Sequence, residues 1–183
     1  MSFCNSECAD DILQIAGSGC EIITRPAGIK RVIFGRCDIT FLDLQDLGEW
    51  AAKLTANEIH ATGDILGSKP KGSTTKKKLA SCRPQQVTGG TKSIAFTDSN
   101  SDNTNFTDYA FYNSVQLNSG GMVFGYITCD DLFYGWFSDF SAEVDDVRSE
   151  SNEEEMVFDM TLEYNAIQMM VPVLIPGLDA ILN

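Results

Sequence analysis

The sequence predicts a mainly β protein, an antiparallel β-sandwich or barrel with one flanking α-helix and extended terminal arms. Segments rich in β-branched and aromatic residues, several with polar–apolar alternation, fill the second half of the chain and are separated by Gly, Asn and Asp turns. The best helix candidate is the segment 43–54, whose apolar residues fall at helical spacing. The 183 residues, 43% hydrophobic and 21% charged, are sufficient for a single buried core.

Three regions are predicted along the chain: an N-terminal arm at 1–20, a β domain at 21–165 and a C-terminal arm at 166–183. The first arm is polar and rich in cysteine. The second arm is apolar but contains Pro172 and Pro176. Proline cannot donate to a strand ladder and breaks a helix interior, so we expect this arm to be extended and to pack on its own domain or on a neighbour.

The first half of the β domain begins with a predicted strand at 29–35, which we expect residues 38–42 to extend. A helix is predicted at 43–54, with Asp43 near its positive end. Its single apolar face consists of Leu44, Leu47, Trp50, Ala51 and Leu54.

Residues 57–66 are expected to be extended, and 67–78 to form a flexible exposed loop. The predicted loop has Gly, Pro and five lysines and no apolar side chain, so it cannot be buried. Further strands are predicted in the second half, at 91–97, 109–117, 122–129, 132–137 and 156–164. Between the last two strands, 143–155 carries seven acidic side chains, which are expected to interrupt the β pattern.

Charge is distributed unevenly. Residues 1–92 carry 12 basic and 10 acidic side chains, whereas residues 93–183 carry one basic and 16 acidic side chains. The net charge of −13 argues against a general nucleic-acid-binding protein, which would need a basic face. No apolar run reaches the 18–20 residues or so that a membrane helix needs, so no membrane partner is expected.

Catalytic and metal-binding motifs are weak. His60 is the only histidine, and no G-x-S-x-G, P-loop or H-E-x-x-H motif occurs, so we expect no enzyme and no cofactor. Without a recognisable signal peptide, the six cysteines are expected to be reduced, and Cys4 and Cys8 lack the second pair that a zinc site requires. Asp98, Asn100 and Asp102 match the start of a calcium loop, but local Asn and Asp turn bonding explains them equally.

Two charged groups are candidates for an interface between subunits. The lysines of the loop could dock on the acidic segment of another copy, on phosphates, or simply be solvated. The interface candidates are Lys69, Lys71, Lys76, Lys77, Lys78, Asp145, Asp146, Glu153, Glu154 and Glu155.

The run Thr88–Lys92 (TGGTK), a polar Asp/Asn turn, successive β segments and an acidic stretch before a closing strand together resemble the tail tube and related structural proteins of tailed bacteriophages. The resemblance covers roughly residues 20–165. It implies hexameric rings stacked into a virion tail tube, joined by loops and terminal arms and to other tail proteins. It also implies an acidic lining, along which DNA passes without adhering.

Other functions remain open from the sequence: a head–tail connector, a capsid decoration protein, or a β-sandwich module that binds carbohydrate or calcium.

Overall fold

The computed structural model describes residues 28–68, 70–77, 86–98, 107–147, 157–166 and 171–182. The predicted N-terminal arm at 1–20 lies outside this part of the chain. The described residues form ten strands, three α-helices and one short 3₁₀ turn at Ser119–Gly121. The elements are β1 Gly28–Arg36, α1 Leu47–Thr55, β2 Ile59–Ala61, β3 Leu66–Ser68, β4 Lys71–Lys77, β5 Gln86–Asp98, α2 Thr107–Asn118, β6 Met122–Thr128, β7 Leu132–Phe137, β8 Phe140–Val147, β9 Val157–Asn165, β10 Val173–Leu174 and α3 Leu178–Ile181.

The strands form one antiparallel sheet in the order β10-β7-β6-β1-β3-β5-β9-β8, with β2 beside β1 and β4 beside β5. The sheet folds over on itself, so that β6 and β7 pack against β8 and β9. The Phe124 ring lies 4.9 Å from that of Phe140 and 5.2 Å from that of Tyr164, and Phe137 lies 4.4 Å from Tyr164. The predicted mainly β, antiparallel fold is confirmed.

A second apolar cluster lies on the opposite side of β1, β6 and β7, where α1 and α3 cover the sheet. Trp50 of α1 is fully buried there, and its indole N–H donates to the carbonyl of Leu44 at 2.9 Å. The predicted helix is therefore present, although it begins at Leu47. Its N-cap is Asp46, whose carboxylate accepts from the Gly48 amide at 2.8 Å, and not Asp43.

The predicted strand at 109–117 is wrong, because these residues belong to helix α2. Tyr112 and Val115 are buried three residues apart, and Tyr109 and Tyr112 both contact the ring of Phe158. Aromatic residues favour strands, but here they fill one end of the core from a helix, so tertiary burial overrides local propensity.

Three further predictions also need correction. Residues 71–77 of the predicted loop form strand β4, which pairs with β5, and the extension at 38–42 is not a strand. The acidic segment does not interrupt the β pattern at its start, since β8 runs through to Val147. A polar sequence can form a strand at a sheet edge, because backbone hydrogen bonds hold the strand while its side chains face water.

The C-terminal segment packs on its own domain. Val173 and Leu174 pair with Phe133 and Leu132 of β7, and α3 follows after Pro176. Ile175, Leu178 and Leu182 are buried against the second apolar cluster.

Candidate functional site

Four strands, in the order β4-β5-β9-β8, form the part of the sheet that contains those predicted interface residues that the structure describes. One rung crosses all four strands through Lys71, Ser93, Glu163 and Ser141. On one face of these strands the side chains are buried, including Ile94, Phe96, Met160, Leu162 and Tyr164. Side chains alternate along a strand, so the residues between these face outward.

The outward face of these strands is polar and acidic, and we call it the acidic face. Glu143, Asp145, Asp159 and Glu163 are exposed on it. The other side chains described on this face of β5, β9 and β8 are small or uncharged and polar, namely Thr91, Ser93, Ala95, Thr97, Ser141, Thr161 and Asn165. The described rungs that cross this face include one basic side chain, that of Lys71 on β4. The face therefore presents a field of negative charge with little compensation.

Asp145 and Asp159 lie directly opposite one another on β8 and β9. Like charges in this position repel, which costs stability. Thr97 on β5 donates a hydrogen bond to the Asp159 carboxylate at 2.6 Å, which holds that carboxylate in place while both acids stay exposed.

Strands β4 and β5 extend beyond β9 as a two-stranded ribbon. The last β9 residue to pair, Asn165, lies opposite Thr91, and the Ala166 amide donates to the Gly90 carbonyl at 3.0 Å. Past this point the described pairs join β4 and β5 alone, including Lys76 with Val87 and Lys77 with Gln86. We call residues 74–77 and 86–90 the ribbon. A two-stranded ribbon is marginally stable in water unless something packs against it.

The two ends of this sheet carry opposite charge. The ribbon end has Lys76 and Lys77 in its last two described rungs. At the far end of β5, the last two rungs contain Asp145 and Asp159, then Asp98 and Asp146. The 13 residues of β5 separate the two ends by roughly 40 Å.

The structure thus places the described interface candidates apart within one chain. Lys71 and Lys76 are exposed on β4, and Asp145 is exposed on β8. Lys77 and Asp146 are placed by their backbone pairing. The remaining candidates, Lys69, Lys78, Glu153, Glu154 and Glu155, lie outside the described residues.

The other predicted residues do not converge on a site. Asp98 is buried and accepts a hydrogen bond from the Tyr112 hydroxyl, while Asn100 and Asp102 lie outside the described residues. Across the described ranges, no three His, Cys, Asp or Glu side chains are arranged to hold a metal ion. The His60 ring packs against that of Phe111, with ring centroids 4.0 Å apart and the ring planes inclined at 40°. Of the six cysteines, Cys37 and Cys129 are described, and both are exposed free thiols.

An ion-pair network that the sequence pattern did not indicate anchors the C-terminus. The Arg31 guanidinium is 6% exposed and contacts Asp179 at 2.7 Å and Asp64 at 3.0 Å. Arg31 also donates to the carbonyls of Thr62 and Leu182. Partial burial acts to raise the pKa of Asp179, but the hydrogen bond from Lys30 and the charges of Arg31 and Lys30 outweigh it and hold this pKa below its ordinary value.

Comparison with known proteins does not assign the chain to a family. No family model and no curated protein matches the chain. A chain of the solved structure "Virion of native gene transfer agent (GTA) particle" aligns with 60% of this chain and 82% of its own length, at 13% identity and a TM-score of 0.34. At this TM-score the likeness identifies neither a common fold nor a common function. Among the helices described, none is both long and apolar enough to cross a bilayer.

Proposed function

We propose that the protein is a non-enzymatic virion structural protein, a subunit of a phage tail tube that self-assembles into stacked hexameric rings around a channel for DNA. The observation that carries the proposal is the acidic face. The sequence resemblance to tail tube proteins led us to expect an acidic lining, and the acidic face is the surface that fits it.

The position of the acidic face supports this role. Helices α1 and α3 cover the outer side of β1, β6 and β7, whereas the described residues leave the outer side of β5, β9 and β8 exposed. A channel lining must be smooth and must not bind its cargo. Short hydroxyl side chains provide a smooth wall, and the carboxylates of Glu143, Asp145, Asp159 and Glu163 repel phosphates.

The sheet edges support self-assembly. Within the described residues, β4 pairs with β5 alone and β8 pairs with β9 alone. An edge strand is a template for another chain, and a closed ring uses such edges on every copy. DNA in this assembly is a passing cargo, and other tail proteins would bind the ends of the tube.

Electron microscopy of the purified full chain tests assembly. Negative-stain images across a concentration series are expected to show rings or tubes. A chain that stays monomeric at high concentration would overturn the proposal, and thermal stabilisation by calcium or a sugar would instead support a binding module.

Thiol labelling tests which surface lines the channel. Glu163→Cys on the acidic face and Leu42→Cys, on the loop before α1, are matched variants, because both positions are exposed. A bulky polyethylene-glycol maleimide should label both in dissociated subunits but only Leu42→Cys in tubes. Peptide mass spectrometry separates these positions from the six native cysteines. Equal labelling of both positions in tubes would contradict the channel assignment.

A further inference from the structure

We infer that successive copies contact one another head to tail along the strand direction, with the ribbon end of one copy against the acidic end of the next. The inference rests on the proposed function and names the partner surface within it. The ribbon end is the β4–β5 end with Lys76 and Lys77. The acidic end is the pair of rungs that contains Asp145, Asp146 and Asp159.

The contact cannot form within one chain. The two ends lie at opposite termini of β5, a strand of 13 residues that pairs with β4 at one end and with β9 at the other. The described lysines of the ribbon end therefore lie roughly 40 Å from the acids that would complement them. Opposite charges at opposite ends of one sheet are complementary between copies, and that complementarity orients association.

The geometry also sets the symmetry of the contact. The two surfaces differ, so the contact is heterologous, and a heterologous contact that does not close propagates into a filament. Two copies that met end to end in opposite orientations would bring acidic end against acidic end, or ribbon end against ribbon end, and like charges repel. All copies in a stack therefore point the same way.

The ribbon provides a second argument for a protein partner. Among the described residues, only β4 and β5 form it beyond β9, and Thr74, Thr75 and Lys76 are exposed there. A two-stranded ribbon needs further contacts to be stable. A neighbouring copy would supply them, together with the counter-charge for Lys76.

Charge reversal tests the contact. Lys76→Glu with Lys77→Glu should raise the protein concentration needed for stacking at least about tenfold, as should Asp145→Lys with Asp146→Lys, since each reversal turns attraction into repulsion. The controls are Arg36→Glu and Asp38→Lys, an exposed ion pair at the end of β1 that lies outside β4, β5, β8 and β9, and both should stack like the unmodified chain.

Mixing the two reversed variants is the decisive measurement. At a concentration too low for either variant to stack alone, the acidic ribbon of one variant fits the basic end of the other. The remaining two ends, one basic and one acidic, are unmodified and also fit each other. An equimolar mixture should therefore recover stacks of alternating copies, measured by light scattering and electron microscopy. Circular dichroism of each variant checks folding, and recovery on mixing itself requires that both variants are folded.

Three results would overturn the inference. The variants could stack normally, the mixture could fail to stack although both variants are folded, or the unmodified chain could bind a labelled 30-base-pair duplex through the ribbon lysines at physiological salt. In each case rings could still form, so the proposed function would survive. A chain that forms no assembly in any variant would instead refute the proposed function itself.

Discussion

Arg31 on β1 donates its Nε hydrogen bond to the Asp179 carboxylate of α3 at 2.7 Å, across 148 residues of chain. The Arg31 side chain is 6% exposed, and that of Asp179 is 23% exposed. Lys30 binds the other oxygen of the same carboxylate. One acid thus holds two neighbouring cations of the central strand, and it fastens the C-terminal segment to the sheet.

Asp179→Ala should lower the free energy of unfolding by about 2–3 kcal/mol, because it removes one partner of a buried cation. Asp38→Ala is the matched control. Asp38 also pairs with an arginine, Arg36, at 2.8 Å, but both side chains are more than half exposed. The control should change stability by about 0.5 kcal/mol or less in urea unfolding. Similar losses for both variants would show that burial of the pair is unimportant.

Acid should weaken the same network. The pKa of Asp179 is lower in the folded chain than in the unfolded chain, so its contribution is present above the unfolded pKa of about 4. That contribution is lost as the pH falls through the lower folded pKa. Unfolding midpoints measured between pH 6 and pH 2.5 should fall more steeply in the unmodified chain than in Asp179→Asn. Parallel pH profiles would contradict this assignment.

Alkali should act through a different residue. Burial raises the pKa of Tyr164 to about 12, and the neutral phenol is the form that the folded core accepts. Its contribution is complete below the unfolded pKa of about 10 and is lost as the pH rises through the folded value. Burial also raises the pKa of Tyr126. Absorbance at 295 nm should therefore show more than one tyrosine that ionises with unfolding at high pH, and Tyr164→Phe should reduce that step by one tyrosine. Ionisation near pH 10 without unfolding would show that this phenol is accessible.

Gly90 marks where the ribbon leaves β9. A Cβ atom there would lie 2.8 Å from the Ala166 carbonyl oxygen, whereas at Gly89 the nearest atom, Cβ of Thr75, is 4.0 Å away. Gly90→Ala should therefore cost about 1–3 kcal/mol of stability. Gly89→Ala should be close to neutral in thermal unfolding. If both changes are neutral, β9 does not approach β5 this closely at Gly90.

The same comparison extends to assembly. If the ribbon takes part in stacking, Gly90→Ala should also impair it, because the clash displaces the base of the ribbon. Gly89→Ala provides the control within the ribbon itself. If the Gly90→Ala chain is destabilised but stacks normally, the ribbon is not part of the stacking interface.

Local periodicity determined much of the fold from the sequence. The apolar spacing that includes Leu47, Trp50 and Leu54 predicts α1, and the β-branched and aromatic runs predict β1, β6, β7 and β9. Composition also determined the separation of charge, because the lysines cluster before residue 93 and the acids after it. These features depend on neighbouring residues, which a sequence displays directly.

Only the tertiary structure decided the rest. Helix α2 exists because Tyr112 and Val115 fill the open end of the core, and β4 exists because β5 offers a ladder to a segment with no apolar side chain. The pairing of Arg31 with Asp179 and the placement of Lys76 and Asp145 at opposite ends of one sheet depend on which strands become neighbours. Strand order is set by packing between residues far apart in the chain, and no local pattern encodes it.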